Sequence, residues 1–187
     1  MENRIGFGSR LGAYLIDIIL VWVLAFVMCM MFPNFLLDTA SEQLNQAIAT
    51  NPLLAESFNA QMEQLMLSLI RFVLMIVFAR LILFLPEIFF AASPGKMMLK
   101  LHIAKTDGTE ASRLALLGRY AIKHCAKIFT ILAYIGLASL FNTLSSLCGF
   151  VVFVGCFFAA GDAHQALHDK ICNTAVFKQS AVTDNAN

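Results

Sequence analysis

Long uncharged stretches constrain this chain more than any other feature of its sequence. Residues 18 to 37 include no charge over 20 positions, and residues 128 to 161 include none over 34. Twenty helical residues rise about 30 Å, which matches the hydrocarbon core of a bilayer. Only 13% of the 187 residues are charged, whereas soluble domains carry about 25%. The chain is therefore predicted to be an all-α integral membrane protein.

A four-span helical bundle is predicted, with spans at about 11–32, 65–90, 114–140 and 146–160. As one helix, residues 128–161 would extend about 51 Å, well beyond one bilayer. A break is placed in its middle, where polar and small residues cluster at Gly136, Asn142, Ser145, Ser146 and Gly149. The alternative is a single tilted helix with a tail along the interface. One domain is expected over 1–178, followed by a disordered tail at 179–187.

Lysine and arginine positions predict the orientation. Residues 33–64 include four acidic side chains and no basic one, whereas residues 92–127 include seven basic and two acidic side chains. Because cytoplasmic loops are enriched in basic residues, the second segment and both termini are predicted to be cytoplasmic. This topology requires an even number of spans, which supports the break. No eukaryotic-style targeting signal is present, which favours a bacterial plasma (inner) membrane.

The acidic segment is predicted to form an amphipathic extracytoplasmic helical loop. Apolar residues recur at helical spacing, first at Leu44 and Ile48, and then, beyond Asn51-Pro52, at 54, 58, 62 and 66. We expect two helical pieces, of which the second runs into span two. A cap on the bundle is one interpretation, and a lid or partner surface is the other.

A small cytoplasmic two-stranded β element is predicted in the basic loop. Leu99, Leu101 and Ile103 alternate with other residues at strand period, and Asp107-Gly108 follows as a turn. The stretch TAVFK at 174–178 is the expected partner, because a lone strand would leave its edge unpaired. A tight turn is predicted just ahead, at Ser93, Pro94, Gly95 and Lys96.

A basic stripe is predicted on the helix that follows this loop. Arg119, Lys123 and Lys127 recur every four residues and so share one face. We expect this stripe to contact the anionic headgroups of the lipid bilayer. An anionic ligand or partner is the alternative.

Two charged residues at the start of the first span require a partner. Arg10, Tyr14 and Asp17 share one helix face, with Asp17 roughly 10 Å deeper than Arg10. An aspartate at the helix centre costs about 2.5 to 3.5 kcal/mol, so this face must point into the bundle or toward water. Arg80, at a similar depth in the second span, is the expected partner of Asp17.

An intramembrane polar cluster is therefore predicted near the cytoplasmic side. Arg10 is expected to meet Asp169 or Glu87, and the whole cluster comprises Arg10, Asp17, Arg80, Glu87 and Asp169. One interpretation is a set of buried ion pairs that fixes helix register. The other is proton-for-cation exchange by carboxylates, the chemistry of an antiporter. Transport by so short a chain would require a homo-oligomer.

The sequence predicts no enzyme, no cofactor, no metal site and no nucleic-acid partner. His164 and His168 have the spacing of two metal ligands on a helix. However, the stretch reads His-Gln-Ala-Leu-His and lacks the glutamate base of a zinc protease. We interpret both as ordinary interfacial histidines. Neither a Walker motif nor a GxGxxG motif occurs.

Taken together, several motifs resemble the RDD family of membrane proteins, which is named for one arginine and two aspartates. The matching positions are Arg10, Asp17 and Asp169, with Ser93-Pro94-Gly95-Lys96 in the loop and QALHDKICNTAVF near the end. Glu87 matches an acidic residue that commonly precedes the loop. Lys100 replaces a usual glycine, and Cys172-Asn173 replaces Ala-Gly.

The resemblance implies a membrane protein of undetermined role, for which cation or proton exchange has been suggested, and it does not imply an enzyme. Two function classes follow from the sequence. The first is a small-solute or cation/proton transporter, or a subunit of one. The alternative is a non-transporting membrane scaffold or partner-binding protein.

Overall fold

The computed structural model describes residues 4–32, 37–50, 60–134 and 140–182. Helices dominate these residues, and their bounds are α1 Phe7–Met31, α2 Leu37–Thr50, α3 Ala60–Phe84, α4 Pro86–Phe90, α5 Pro94–Met98, α6 Arg113–Tyr134, α7 Leu140–Phe157 and α8 Leu167–Ile171. The same residues also form two strands, β1 Leu101–Lys105 and β2 Thr174–Lys178. The chain divides into two compact units, one of residues 1–20 and 81–187 and the other of residues 21–80.

Three helical segments among the described residues are long and apolar enough to cross a membrane. They are Phe7–Met31, Gln61–Phe90 and Leu140–Ala160. The predicted third span coincides with α6, which carries four basic residues and is not among these three. Four spans therefore remain a prediction.

The described parts of residues 128–161 lie in two helices, α6 and α7, so the alternative of a single tilted helix is wrong. Helices α6 and α7 pack as an antiparallel hairpin, in which the hydroxyl groups of Thr130 and Ser145 lie 2.8 Å apart. The predicted position of the break is also wrong, since Asn142, Ser146 and Gly149 lie inside α7. The helix continues through them, and the Ser146 hydroxyl donates a hydrogen bond to the carbonyl of Asn142 one turn earlier. Gly136 lies outside the described residues.

The second predicted span, 65–90, is interrupted near its end. Helix α3 ends at Phe84, and α4 begins at Pro86 after Leu85. Proline has no N–H to donate and its ring obstructs a continuous helix. The short helix α4 that follows carries Glu87, which is fully buried.

The predicted two-stranded sheet is present in the larger unit. Strands β1 and β2 pair antiparallel, with Ile103 opposite Val176, and both side chains are buried. The strand was predicted to include Leu99, and this is wrong. Leu99 directly follows α5, and β1 begins at Leu101. Both outer edges have partners, since the amide of Ile5 donates to the carbonyl of Val176 and that of Ile103 to the carbonyl of Ala91.

The unit of residues 21–80 contains the rest of α1, α2 and most of α3. The Trp22 ring of α1 lies 5.6 Å from the Phe72 ring of α3. Helix α2 is the first predicted piece of the outer loop, with Leu44 buried. Leu54 and Phe58 of the second piece lie outside the described residues, and Met62 and Met66 belong to α3.

The end of the chain departs from the predicted disordered tail. Residues Gln179–Ala181 form a 3₁₀ turn directly after β2. The amide of Gln179 donates a hydrogen bond to the carbonyl of Lys100, which fixes this turn beside the start of β1. Residues 183–187 of the predicted tail lie outside the described residues.

Candidate functional site

Glu87 is the centre of a buried set of ion pairs in the larger unit. Its Oε1 accepts hydrogen bonds from Lys96 Nζ at 2.6 Å and from Arg119 at 2.5 Å, and its Oε2 accepts one from Lys123 Nζ at 2.8 Å. The residue is only 1% exposed. The three ion pairs connect α4 to α5 and α6. An unpaired buried charge is strongly destabilising, so these pairs favour the packed arrangement of the three helices.

Asp169 continues the same set on α8. Arg119 Nε donates to its Oδ1 at 2.7 Å, and Arg10 donates to its Oδ2 at 2.6 Å. Arg10 also donates to the carbonyls of Ile5 and His164. Arg119 therefore bridges both carboxylates, and Arg10 ties the start of α1 to α8.

We call these six residues the charge cluster: Arg10, Glu87, Lys96, Arg119, Lys123 and Asp169. It brings together four basic side chains and two carboxylates. If one of the two lysine amines were neutral, three positive charges would still face two negative ones. The cluster is thus positively charged, and its carboxylates are already balanced.

Burial changes the protonation of groups at the edge of the cluster. Desolvation lowers the pKa of Lys96 to about 7, against the attraction of Glu87. Desolvation likewise lowers the pKa of His168 to about 3, and Arg119 donates a hydrogen bond to its Nε2 at 3.3 Å. Burial acts to raise the pKa of Asp169, but the positive charges of Arg119 and Arg10 hold that pKa well below its usual range. His168 is therefore neutral and Asp169 ionised at neutral pH.

Asp17 on α1 occupies a different setting, which we call the Asp17 site. Its Oδ2 accepts a hydrogen bond from the Ser93 hydroxyl at 2.7 Å, and its Oδ1 accepts one from the Gly95 amide at 2.7 Å. A Cβ at position 95 would collide with the Ala13 carbonyl oxygen and would lie 2.9 Å from Asp17 Oδ1. Glycine is required here because α5 approaches α1 without room for a side chain.

The structure places the predicted cluster residues in three settings. Arg10, Glu87 and Asp169 are joined through shared contacts. Asp17 lies with Ser93 and Gly95. Arg80 belongs to the other compact unit, so its pairing with Asp17 stays a prediction. The predicted tight turn at 93–96 is instead the start of helix α5, preceded by Ser93.

Sequence reasoning missed three of the cluster's cations, Lys96, Arg119 and Lys123. The latter two were predicted to contact lipid headgroups, and this is wrong for Arg119, which is 2% exposed and bonded to two carboxylates. Lys123 binds Glu87 and lies over the Phe84 ring. Basic residues on an otherwise apolar helix were the available signal, because such charges turn toward buried acids. The prediction for Lys127 stays open.

The two histidines considered as metal ligands have other contacts. His168 accepts from Arg119, and the His164 carbonyl accepts from Arg10. Within the described ranges, no group of three histidine, cysteine or acidic residues is close enough to hold a metal ion.

Three apolar helical segments long enough to cross a bilayer, together with charged side chains that converge inside the fold, define a membrane protein. The model of the RDD family matches residues 4–173. The chain therefore belongs to the RDD family. No curated protein and no solved structure matches it.

Proposed function

We propose that this chain is a non-transporting membrane scaffold, and not an enzyme, in which the charge cluster holds the short helices α4, α5 and α8 against α6 and the start of α1. The observation that carries this proposal is the charge balance around Glu87 and Asp169. Four basic side chains contact these two carboxylates at 2.5 to 2.8 Å. The cluster is thus built like a structural ion-pair network.

The same balance argues against cation exchange at the cluster. A sodium or potassium ion that approached Glu87 would meet Lys96, Arg119 and Lys123 before it met an unoccupied oxygen. Protonation of Glu87 would leave those three side chains without their shared counter-charge. Both steps of an antiport cycle are therefore unfavourable at this carboxylate.

The topology that suits a scaffold is the one expected from the sequence. Four spans would leave both termini and the basic loop on the cytoplasmic side of a bacterial inner membrane. The sheet and the charge cluster would then face the cytoplasm at the membrane surface. A partner would bind through this sheet or through the outer helix α2.

A second candidate function is cation or proton transport through Asp17. One observation favours it: within its own unit, the donors to this carboxylate are a hydroxyl and a backbone amide, both neutral. Protonation of Asp17 would therefore leave neither donor with an unbalanced charge. A pathway would still require a homo-oligomer, because one short chain offers little room for it.

Flux measurements on reconstituted protein separate the two candidates. Proteoliposomes with a trapped pH-sensitive dye would receive an inward gradient of Na⁺ or K⁺. Folded wild-type protein and the variant Asp17→Asn should both give the proton flux of empty liposomes. Asp162→Asn, at an exposed aspartate, is the matched control.

Two results would overturn the scaffold. Flux in wild type and Asp162→Asn that disappears in Asp17→Asn would establish transport through Asp17. Equal flux in all three proteins would establish transport by another route.

A further inference from the structure

A groove at the corner between α5 and the sheet is separate from the charge cluster. It has a volume of about 570 Å³ and is lined by Leu99, Lys100, Lys178, Gln179 and Ser180. The 3₁₀ turn after β2 forms one wall, and the amide of Gln179 donates to the Lys100 carbonyl at 2.9 Å. We call this the corner groove.

Two lysines give the corner groove a positive charge. Lys100 and Lys178 are both exposed. Within the described part of the chain, the ion pairs of the cluster involve Lys96 and Lys123 and neither of these two. Both side chains are thus free to bind an external anion. Ser180 and Gln179 are also exposed, and the Ser180 hydroxyl and the side-chain amide of Gln179 are further donors on the same wall.

Leu99 gives the lining of the corner groove an apolar part, next to α1, a helix long and apolar enough to cross a membrane. Leu99 is 41% exposed, and Met98, which precedes it in the chain, is 67% exposed. Leu99 lies against α1, since its Cδ1 is 3.6 Å from the position of a Cβ at Gly12. On α1 nearby, Leu11 and Leu15 are also exposed. The groove therefore lies where an apolar surface that suits lipid chains meets basic side chains.

We propose that the corner groove binds the headgroup of an anionic phospholipid. The phosphate would lie between Lys100 and Lys178, with Ser180 as a further donor, and the acyl chains would extend along Leu99 and α1. Lysines near an anionic membrane surface each strengthen binding by about fivefold. This inference goes beyond the scaffold proposal and holds whether or not the chain transports a solute.

The choice of a lipid over a soluble anion rests on the presence of basic and apolar side chains next to each other. A free phosphate would use the lysines alone and would gain nothing from Met98 and Leu99. An acidic protein segment would need polar partners along its length, but Met98 and Leu99 present apolar surface beside the lysines. A phospholipid would use the lysines and these apolar side chains at once.

Native mass spectrometry of the whole protein in mild detergent tests the proposal. Wild type, the double variant Lys100→Gln/Lys178→Gln and the control Lys105→Gln/Lys170→Gln would be titrated with phosphatidylglycerol or phosphatidylcholine. The control removes two exposed lysines and so the same total charge. Affinity for phosphatidylglycerol should fall roughly 25-fold in the first variant, and by less than threefold in the control. Phosphatidylcholine binding should be the same in all three proteins.

Three outcomes would overturn the assignment. Equal losses in both double variants would mean that total charge attracts the lipid. Displacement of phosphatidylglycerol by millimolar inorganic phosphate would indicate a site for a small anion. Unchanged binding in a folded Lys100→Gln/Lys178→Gln protein would exclude the groove. If that protein does not fold, the single variant Lys178→Gln, at an exposed position, should still lose about fivefold.

Discussion

Glu87 and Asp17 are both buried carboxylates at 1% and 2% exposure, yet the fold balances them in opposite ways. Glu87 contacts three basic side chains. Asp17 accepts hydrogen bonds from the Ser93 hydroxyl and the Gly95 amide, which are dipoles. The role of a buried carboxylate in a membrane protein therefore follows from its hydrogen-bond and ion-pair partners and not from its burial alone.

The difference determines what each carboxylate can do. Neutralising Glu87 would leave positive charges stranded inside the protein, so its charge is structurally required. Neutralising Asp17 would remove charge-assisted hydrogen bonds but would strand no ion on either donor. We therefore expect the two sites to respond very differently to matched substitutions.

The largest effect is expected from Glu87→Gln. The amide keeps the shape of the side chain, but Lys96, Arg119 and Lys123 lose their shared counter-charge. Removing one partner of a buried ion pair costs about 3 to 5 kcal/mol. Titration with sodium dodecyl sulfate in mild detergent, followed by circular dichroism, would measure this loss.

A matched control and a compensating variant sharpen that test. Glu110→Gln changes an exposed glutamate and should alter the free energy of unfolding by less than about 0.5 kcal/mol. Glu87→Gln/Lys123→Met removes one stranded cation and should recover part of the loss. Equal stability of Glu87→Gln and Glu110→Gln would show that the cluster does not hold the fold together.

The next largest effect is expected from Gly95→Ala at the Asp17 site. The new Cβ would collide with the Ala13 carbonyl and press on Asp17 Oδ1. Overpacking of this kind costs about 1 to 3 kcal/mol. Gly8→Ala is the control, because a Cβ there meets nothing within 4 Å. Comparable stability of the two variants in the same titration would contradict close packing of α5 on α1.

The charge cluster should also make stability depend on pH through Lys96. Its pKa is about 7 in the folded protein and 10.5 ordinarily, because burial disfavours the charged amine near Arg119 and Lys123 despite the attraction of Glu87. Between these values the unfolded chain holds a proton that the folded chain has released. Stability should therefore rise with pH above about 7, by up to about 1.4 kcal/mol per pH unit.

The variant Lys96→Met isolates this contribution. Unfolding titrations at pH 7.5 and 8.5 should show the rise in wild type and a smaller rise in the variant, since every other titrating group is retained. Below pH 7 the contribution of Lys96 should be constant, because both states are then protonated. Identical slopes for wild type and Lys96→Met would rule out a depressed pKa at this amine.

Local patterns in the sequence predicted much of this fold. Period-two alternation around Leu101 and Ile103 predicted β1, and the likeness of 174–178 predicted its partner. The glycine replacements noted in the sequence also have a physical reading, because Lys100 and Asn173 both adopt left-handed backbone, with φ of 53° and 51°. Glycine takes that conformation without strain, and asparagine tolerates it better than most residues.

Partner choice between distant residues was harder to predict. Helical spacing correctly placed Arg119 and Lys123 on one face, but a stripe of basic residues has the same pattern whether it meets lipid or buried acids. In this fold the helix break before Pro86 gives the stripe its acidic partner. It places Glu87 on a separate short helix against α6, where Arg119 and Lys123 reach it. The serines of α7 misled for a similar reason, because the hairpin partner accepts a hydrogen bond from Ser145 and the preceding turn accepts one from Ser146.

The smallest loss is expected from Asp17→Asn, and it is the sharpest test of the comparison. The asparagine oxygen can still accept from the Gly95 amide, and the Ser93 hydroxyl can rotate to accept from the new NH₂ group. The expected cost is therefore about 1 kcal/mol, with Asp162→Asn at an exposed position near zero. A loss as large as that of Glu87→Gln would mean that a full positive charge balances Asp17 after all. Arg80 is the predicted source of such a charge, and Asp17→Asn/Arg80→Met would then be more stable than Asp17→Asn alone.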